Sequence, residues 1–219
     1  HSFPTRLSSD LYTFGLPQAY TSLTDYLPGQ QYLIYIFNLF QSDETAIAGH
    51  IHYIKVFSLL FHFGTGFLLF DLIRQYREGK AALWWSMLYV LNPMVLYNGY
   101  IWGQSDDVFT FFVFLSCRLA LKRSFPGSML ALLLAINFKI QAAIFLPPVL
   151  LIVFPSLKQH NAIRQSLTVI VLLIVTQLVI LFPFMLGGTL SMIGDVITNS
   201  FNRYPNVSIN AYNLLYLIM

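Results

Sequence analysis

The residues best suited to chemistry lie in one short polar stretch between two apolar runs. Trp102, Gln104, Asp106 and Asp107 supply an indole, an amide and two adjacent carboxylates. Ionisable groups beside segments at membrane depth are costly to desolvate, so they are candidate functional residues. Carboxylates suit hydroxyl binding or general-base work. Two alternatives stay open: a solvated loop between two spans, and capping of the next helix by the aspartates.

Two further polar turns carry cations, amides and aromatic side chains. The second turn holds Lys139 and Gln141, and the third holds Arg203, Tyr204, Asn210 and Asn213. Lysine and arginine suit a phosphate, and aromatic rings suit a sugar face or a lipid chain. Snorkelling of Lys139 to the headgroups and interfacial anchoring by Arg203 are the alternatives. Together the three turns fit a lipid-linked phosphosugar.

Other ionisable side chains favour plainer interpretations. His62 lies in an apolar run and is expected to be a packed, hydrogen-bonded histidine. Asp71 and Arg74 are spaced i, i+3 and are expected to pair on one helix face. The His, Cys and Glu residues show no metal-ligand spacing, so we predict no metal and no cofactor.

Composition places the chain in a lipid bilayer. Of its 219 residues, 57% are hydrophobic and 10% are charged, and the mean hydropathy is +0.65. A soluble domain is nearer to about a quarter charged. The net charge of +3 is too small to indicate a nucleic-acid partner. We therefore predict an all-α, polytopic transmembrane helical bundle whose lysines and arginines mark topology.

The basic loops predict which turns share a membrane face. Loops rich in Lys and Arg, expected on the cytoplasmic side, alternate with loops that have few of them. The alternation predicts about six full spans and part of a seventh. Residues 30–40 are too short to cross a hydrocarbon core of about 30 Å and are predicted to form an interfacial helix, with a short span as the alternative. The basic set is 74–80, 118–124 and 156–165, and the opposite set is 102–107, 138–141 and 187–210.

The segments divide the chain as follows. Residues 1–11 resemble, with one change at Leu7, the translation of a sequencing-adapter oligonucleotide, and are expected to be non-native. On that basis the chain is expected to be a fragment of a longer protein. The remaining predicted segments are an outer loop with the interfacial helix at 12–50, a transmembrane module at 51–186, an outer loop at 187–210 and the start of a truncated helix at 211–219.

Four stretches, in order, resemble the GT-C superfamily of integral-membrane glycosyltransferases, bacterial mannosyltransferase-like proteins first and the endoplasmic-reticulum dolichyl-phosphate-glucose glucosyltransferases more distantly. They match the family's D-Y-P-P-G, N-P…W-G-Q-x-D, F-K-x-Q…L-P and R-x-P…N-A-x-N patterns. Leu27 replaces the first proline of the first pattern. The stretches are 25–29, 92–106, 138–148 and 203–213.

The resemblance implies transfer of a hexose, mannose or glucose, from a polyprenyl-phosphate donor to a glycan, lipid or protein acceptor. It implies a bacterial inner-membrane enzyme whose site faces the extracytoplasmic side. The family's catalytic aspartate belongs to a first outer loop that is expected to be missing, and Asp10 is not a substitute for it. Asp106 is then a supporting or acceptor-binding carboxylate, and Lys139 and Arg203 steady the departing phosphate. A lipid-linked sugar flippase is the alternative, but the polar groups cluster at one face rather than at the bilayer midplane.

Overall fold

The computed structural model describes residues 3–21, 24–154 and 162–202, and those residues form helices without a strand. The predicted all-α class is therefore confirmed. Short 3₁₀ turns connect several helices at Leu16–Gln18, Ile51–Ile54 and Ile140–Phe145. The helices are α1 Phe3–Phe14, α2 Pro28–Asn38, α3 Glu44–His50, α4 Lys55–Ile73, α5 Gly79–Val90, α6 Pro93–Leu96, α7 Asp106–Leu121, α8 Phe125–Phe138, α9 Leu146–Val153, α10 Ala162–Leu186 and α11 Leu190–Asn202.

Helix α7 lies between α4 and α8. It runs parallel to α4, because His62 in the first half of α4 meets Asp107 in the first turn of α7, and Asp71 meets Arg118 towards the ends of both helices. It runs antiparallel to α8, where the hydroxyl of Ser128 donates to the Ser116 carbonyl at 2.9 Å. The first half of α4, the start of α7 and the end of α8 therefore lie together at one end of the helix group.

A broken helix precedes α7. The sequence predicts one span over residues 81–100 with a kink at Asn92-Pro93, and at that position the helix stops at Val90 and restarts at Pro93. Proline disfavours helical geometry in the residue before it, and Asn92 is accordingly extended, with its side chain accepting from Met94 N at 2.9 Å. The chain then forms a π turn at Tyr97–Trp102, which Gly103 ends in the left-handed region at φ 81°.

Two helical stretches in the described part of the chain have the length and apolar composition to cross a membrane. They are Glu44–Ile73 and Ile163–Leu186, and Phe125–Phe138 and Ile140–Val153 are shorter apolar helices. The 16 residues of α7 extend about 24 Å, which is less than a hydrocarbon core of about 30 Å. The polytopic arrangement is therefore not confirmed, and the predicted spans and domain boundaries stay predictions.

The N-terminal helix packs into the fold. Leu7 and Leu11 of α1 are buried in one cluster with Ile34 of α2 and Phe184 of α10. The amide of Asn38 donates to the Ser8 carbonyl at 2.8 Å, which ties α2 to α1. The non-native origin of residues 1–11 stays a prediction, as does the interfacial position of the helix expected at 30–40.

The end of α8 is held by two neighbouring helices. The Asn137 amide donates to the Gln177 side chain of α10 at 2.8 Å, and Gln177 donates back at 3.2 Å. Helix α2 approaches the same point so closely that a Cβ on Gly29 would lie 2.8 Å from the Asn137 carbonyl oxygen. The helix contacts beside Lys139 therefore depend on a glycine.

We predict that Gly29→Ala destabilises the protein by about 1–3 kcal/mol, because the methyl group would push α2 away from the α8 backbone. Thermal unfolding of the detergent-solubilised protein measures the change. Gly194→Ala in α11 is the matched control, since a Cβ there meets nothing within 4 Å and alanine is the better helix former. Equal unfolding temperatures in the two variants would contradict the close approach of α2 to α8.

Candidate functional site

Asp106 is engaged by two partners from different elements. The Lys139 ammonium, just after α8, forms an ion pair with Oδ1 of Asp106, and the Asn98 amide donates to Oδ2 at 3.0 Å. About a third of each side chain in the ion pair is exposed. Lys139 also lies over the Phe109 ring, at 5.5 Å from its centroid, where the ring face attracts a cation. The carboxylate thus joins the π turn, α7 and α8.

Asp107 faces inward and pairs with His62. Its Oδ1 lies 3.3 Å from Nδ1 of His62, and both side chains are almost fully buried. The other imidazole nitrogen, Nε2, lies 3.0 Å from the Val90 carbonyl oxygen. A carbonyl can only accept, so Nε2 carries a proton.

That constraint leaves two protonation states in which both hydrogen bonds form. Either an imidazolium donates to a carboxylate, or a carboxylic acid donates to a neutral imidazole. The His62–Asp107 pair is neutral overall in both states, which suits its burial. Burial raises the pKa of the Asp107 carboxyl, the hydrogen bond and charge of His62 oppose that rise, and the neighbouring Asp106 adds to it.

Aromatic rings and one glycine enclose the buried pair. Tyr89 stacks on the His62 ring with centroids 5.2 Å apart, and Tyr100 meets the same ring edge-on at 5.8 Å. A Cβ on Gly99 would lie 2.4 Å from Oδ2 of Asp107, so any side chain there would displace the carboxyl. The π turn can pass this close to α7 only because residue 99 is glycine.

The structure brings some of the predicted site residues together. Asp106, Asp107 and Lys139 meet at the same end of the helix group, and Trp102, Gln104 and Gln141 are exposed in its turns. Trp102 is 68% exposed and meets the Tyr97 ring edge-on. The remaining predicted residues, Arg203, Tyr204, Asn210 and Asn213, lie outside the described residues.

Sequence reasoning missed two contributors to this site. Asn98 donates to Asp106, and the Lys55 ammonium donates to the Tyr100 carbonyl oxygen at 2.6 Å. A lysine in an otherwise apolar helix was the available signal for the second contact, because such a charge needs a partner. The partner is a backbone carbonyl freed by the π turn, which no residue pattern marks.

The site offers no evident metal centre. Among the residues that the structure describes, no group of three or more His, Cys, Asp and Glu side chains could hold a metal ion. Asp106 bonds to Lys139 through Oδ1 and to Asn98 through Oδ2, and Asp107 pairs with His62 through Oδ1. Oδ2 of Asp107 is buried without a hydrogen-bond partner. Three of the four carboxylate oxygens thus join helices and shape the turn.

Comparison with known protein families identifies most of the chain. A family described as GPI transamidase subunit PIG-U matches residues 29–211. No curated protein and no solved structure matches the chain.

The family match overturns several expectations. The chain is not a GT-C glycosyltransferase, and the predicted hexose transfer, the hexosyltransferase activity and the flippase alternative are wrong. The polyprenyl-phosphate sugar partner and the bacterial inner membrane are unsupported, whereas a membrane protein with protein partners is supported.

Local helix geometry explains why the motif was misleading. Asn92 caps α6, Pro93 opens that helix, Gly103 ends the π turn and Asp106 begins α7. Asparagine, proline, glycine and aspartate are favoured at these positions in any broken helix pair. The N-P…G…D spacing therefore records where helices stop and start, and does not by itself indicate sugar chemistry.

We predict that His62→Leu destabilises the protein by about 3–5 kcal/mol, because it leaves the Asp107 carboxyl buried without its partner. Asp107→Asn should cost less than about 1.5 kcal/mol, since an amide can donate to a neutral imidazole and keep both hydrogen bonds. The double variant should recover part of the His62→Leu loss. Thermal unfolding of the three variants measures these values, and strictly additive effects would contradict the pairing.

Proposed function

The chain belongs to the PIG-U family of GPI transamidase subunits, and we propose that it acts as a membrane-embedded, non-catalytic subunit of such a transamidase. In this proposal its contribution to attaching proteins to GPI is structural: it positions other subunits or the substrates. The single observation that carries the proposal is the family match over residues 29–211.

The geometry of the polar turns supports a structural role. The carboxylates of Asp106 and Asp107 are joined to Lys139 and His62, and these pairs hold the π turn against α4, α7 and α8. Such pairs fix the shape of a turn, and they fix it without needing a substrate. Trp102, Gln104 and Gln141 project from these turns and are exposed. We propose that these three side chains contact a protein partner in the transamidase.

Exposed apolar surface supports a place within the bilayer. Helix α10 contains an 18-residue stretch with a mean hydropathy of 2.8, and only 11% of that stretch is buried within the chain. A helix that is apolar and exposed in this way is covered by lipid or by other membrane helices. We propose that the membrane is that of the endoplasmic reticulum, in the polytopic arrangement predicted above.

Assembly tests the proposal. The tagged protein, expressed in cells that lack their own PIG-U, should co-purify with the other transamidase subunits and restore a GPI-anchored reporter to the cell surface. Failure of both would contradict membership in a working transamidase. Restoration of the reporter without co-purification would contradict a role as a stable subunit.

A tryptophan pair tests the contact surface. We predict that Trp102→Ala lowers recovery of the other subunits about tenfold, because tryptophans buried at interfaces commonly carry much of the binding energy. Trp84→Ala is the matched control, since Trp84 is 73% exposed on α5 and Trp102 is 68% exposed. Quantitative immunoblotting of the purified complex measures both. Equal recovery in the two variants would remove Trp102 from the proposed contact.

A further inference from the structure

A second polar cluster lies at the other end of α4 and α7. Nε and Nη2 of Arg118 both contact Oδ2 of Asp71, and Arg74 Nε lies 3.4 Å from Oδ1 of the same carboxylate. Asp71 is nine residues after His62 on α4, so the two clusters are separated by about 14 Å along the helix. The i, i+3 pair of Asp71 and Arg74 was expected, and Arg118 is an additional partner.

The charges in this cluster do not balance. Two guanidinium groups share one carboxylate, which leaves an excess positive charge. Arg118 is only 8% exposed, and its Nη1 atom is buried with no hydrogen-bond partner. A buried guanidinium N–H without an acceptor is costly, because it has lost water and gained nothing. The excess positive charge favours an anionic acceptor at this corner.

Nearby cations extend the positive surface. Lys122 follows Arg118 by four residues and so lies on the same side of α7, and it is exposed. The turn that follows places Arg123 at φ 58°, in the left-handed region that glycine favours, and Arg123 is also exposed. The corner thus combines a buried guanidinium with exposed cations around it.

Apolar side chains at the same corner indicate that the acceptor is part of a lipid. Arg74 ends the membrane-length stretch Glu44–Ile73, and its guanidinium lies 5.8 Å from the centroid of the Phe70 ring. Tyr76, two residues further on, is 71% exposed, and Phe67 one helical turn before Phe70 is 68% exposed. Cations at the end of an apolar helix, beside exposed aromatic rings, lie where phospholipid headgroups meet acyl chains.

We propose that Arg118, Arg74 and Lys122 form a binding site for the phosphate of an acidic phospholipid. The phosphate oxygens accept from the exposed cations Arg74 and Lys122, and the buried Arg118 guanidinium, which Asp71 keeps in place, adds its positive charge behind them. The acyl chains lie along the apolar surface of α4. This site is separate from the turns assigned to the transamidase contact, and it does not depend on that assignment.

Lipid retention by the detergent-solubilised protein tests the site. The probes are dioctanoyl phosphatidic acid, dioctanoyl phosphatidylcholine and inorganic phosphate, and native mass spectrometry counts the bound molecules. We expect phosphatidic acid to be retained in preference to the other two. Equal retention of phosphatidylcholine would overturn the requirement for an acidic lipid, and equal affinity for inorganic phosphate would overturn the lipid assignment.

Charge-removing variants locate the site. Arg118→Gln and Arg74→Gln should each weaken phosphatidic acid binding about fivefold to tenfold. The double variant Asp71→Asn with Arg118→Gln removes both charges of the pair together. It leaves no unpaired buried charge, so it is expected to fold even if Arg118→Gln alone does not, and it should also bind phosphatidic acid more weakly. Lys80→Gln is the matched control, because Lys80 is an exposed cation at the start of α5. A loss in Lys80→Gln equal to that in Arg118→Gln would show that only overall charge matters, and would overturn the site.

Discussion

Two hydrogen-bonded polar pairs fix the direction and the axial register of α4 against α7, and much of the remaining described structure depends on that alignment. His62 in the first half of α4 meets Asp107 in the first turn of α7, and Asp71 meets Arg118 towards the ends of both helices. Apolar helices in a low-dielectric setting can slide past one another at little cost, because one apolar contact replaces another. Buried polar groups that are hydrogen-bonded across the two helices oppose such sliding, since each loses its partner when it moves. The two pairs therefore set the register.

The alignment of α4 with α7 determines the shape of the π turn that precedes α7. The His62–Asp107 pair draws the start of α7 inward until Oδ2 of Asp107 lies against Gly99. Asp106, the next residue back, is then left facing outward, where Asn98 and Lys139 engage it. Adjacent carboxylates thus have opposite environments because successive residues on a helix point about 100° apart. One aspartate joins α7 to α4, and its neighbour joins α7 to α8.

Much of this could be predicted from residue types, and the limits have physical causes. The helical class followed from long apolar runs, and a hydrogen-bonded His62 followed from its apolar surroundings. Arg118 shows the first limit: a cation in an apolar run requires a partner, but the sequence offered Asp71 to Arg74 as well, and only tertiary packing decides between them. The π turn shows the second limit. Its Tyr100 carbonyl accepts from Lys55, and no pattern of residue types marks where such a turn will form.

The glycosyltransferase interpretation went wrong at a different step, where residue types were taken as evidence of sugar chemistry. A carboxylate in an apolar setting can react, or it can neutralise another charge. The numbers of donors and acceptors show which groups still lack a partner. Val90 fixes a proton on one nitrogen of His62, so the other nitrogen and Asp107 share a single proton between them. Oδ2 of Asp107 takes no part in that bond and remains a buried acceptor without a partner. The same count applied to Arg118 leaves one buried donor, Nη1, without an acceptor. Each cluster therefore has one unsatisfied buried group, and the exposed cations beside Arg118 are what distinguish the second cluster as a site for an anion.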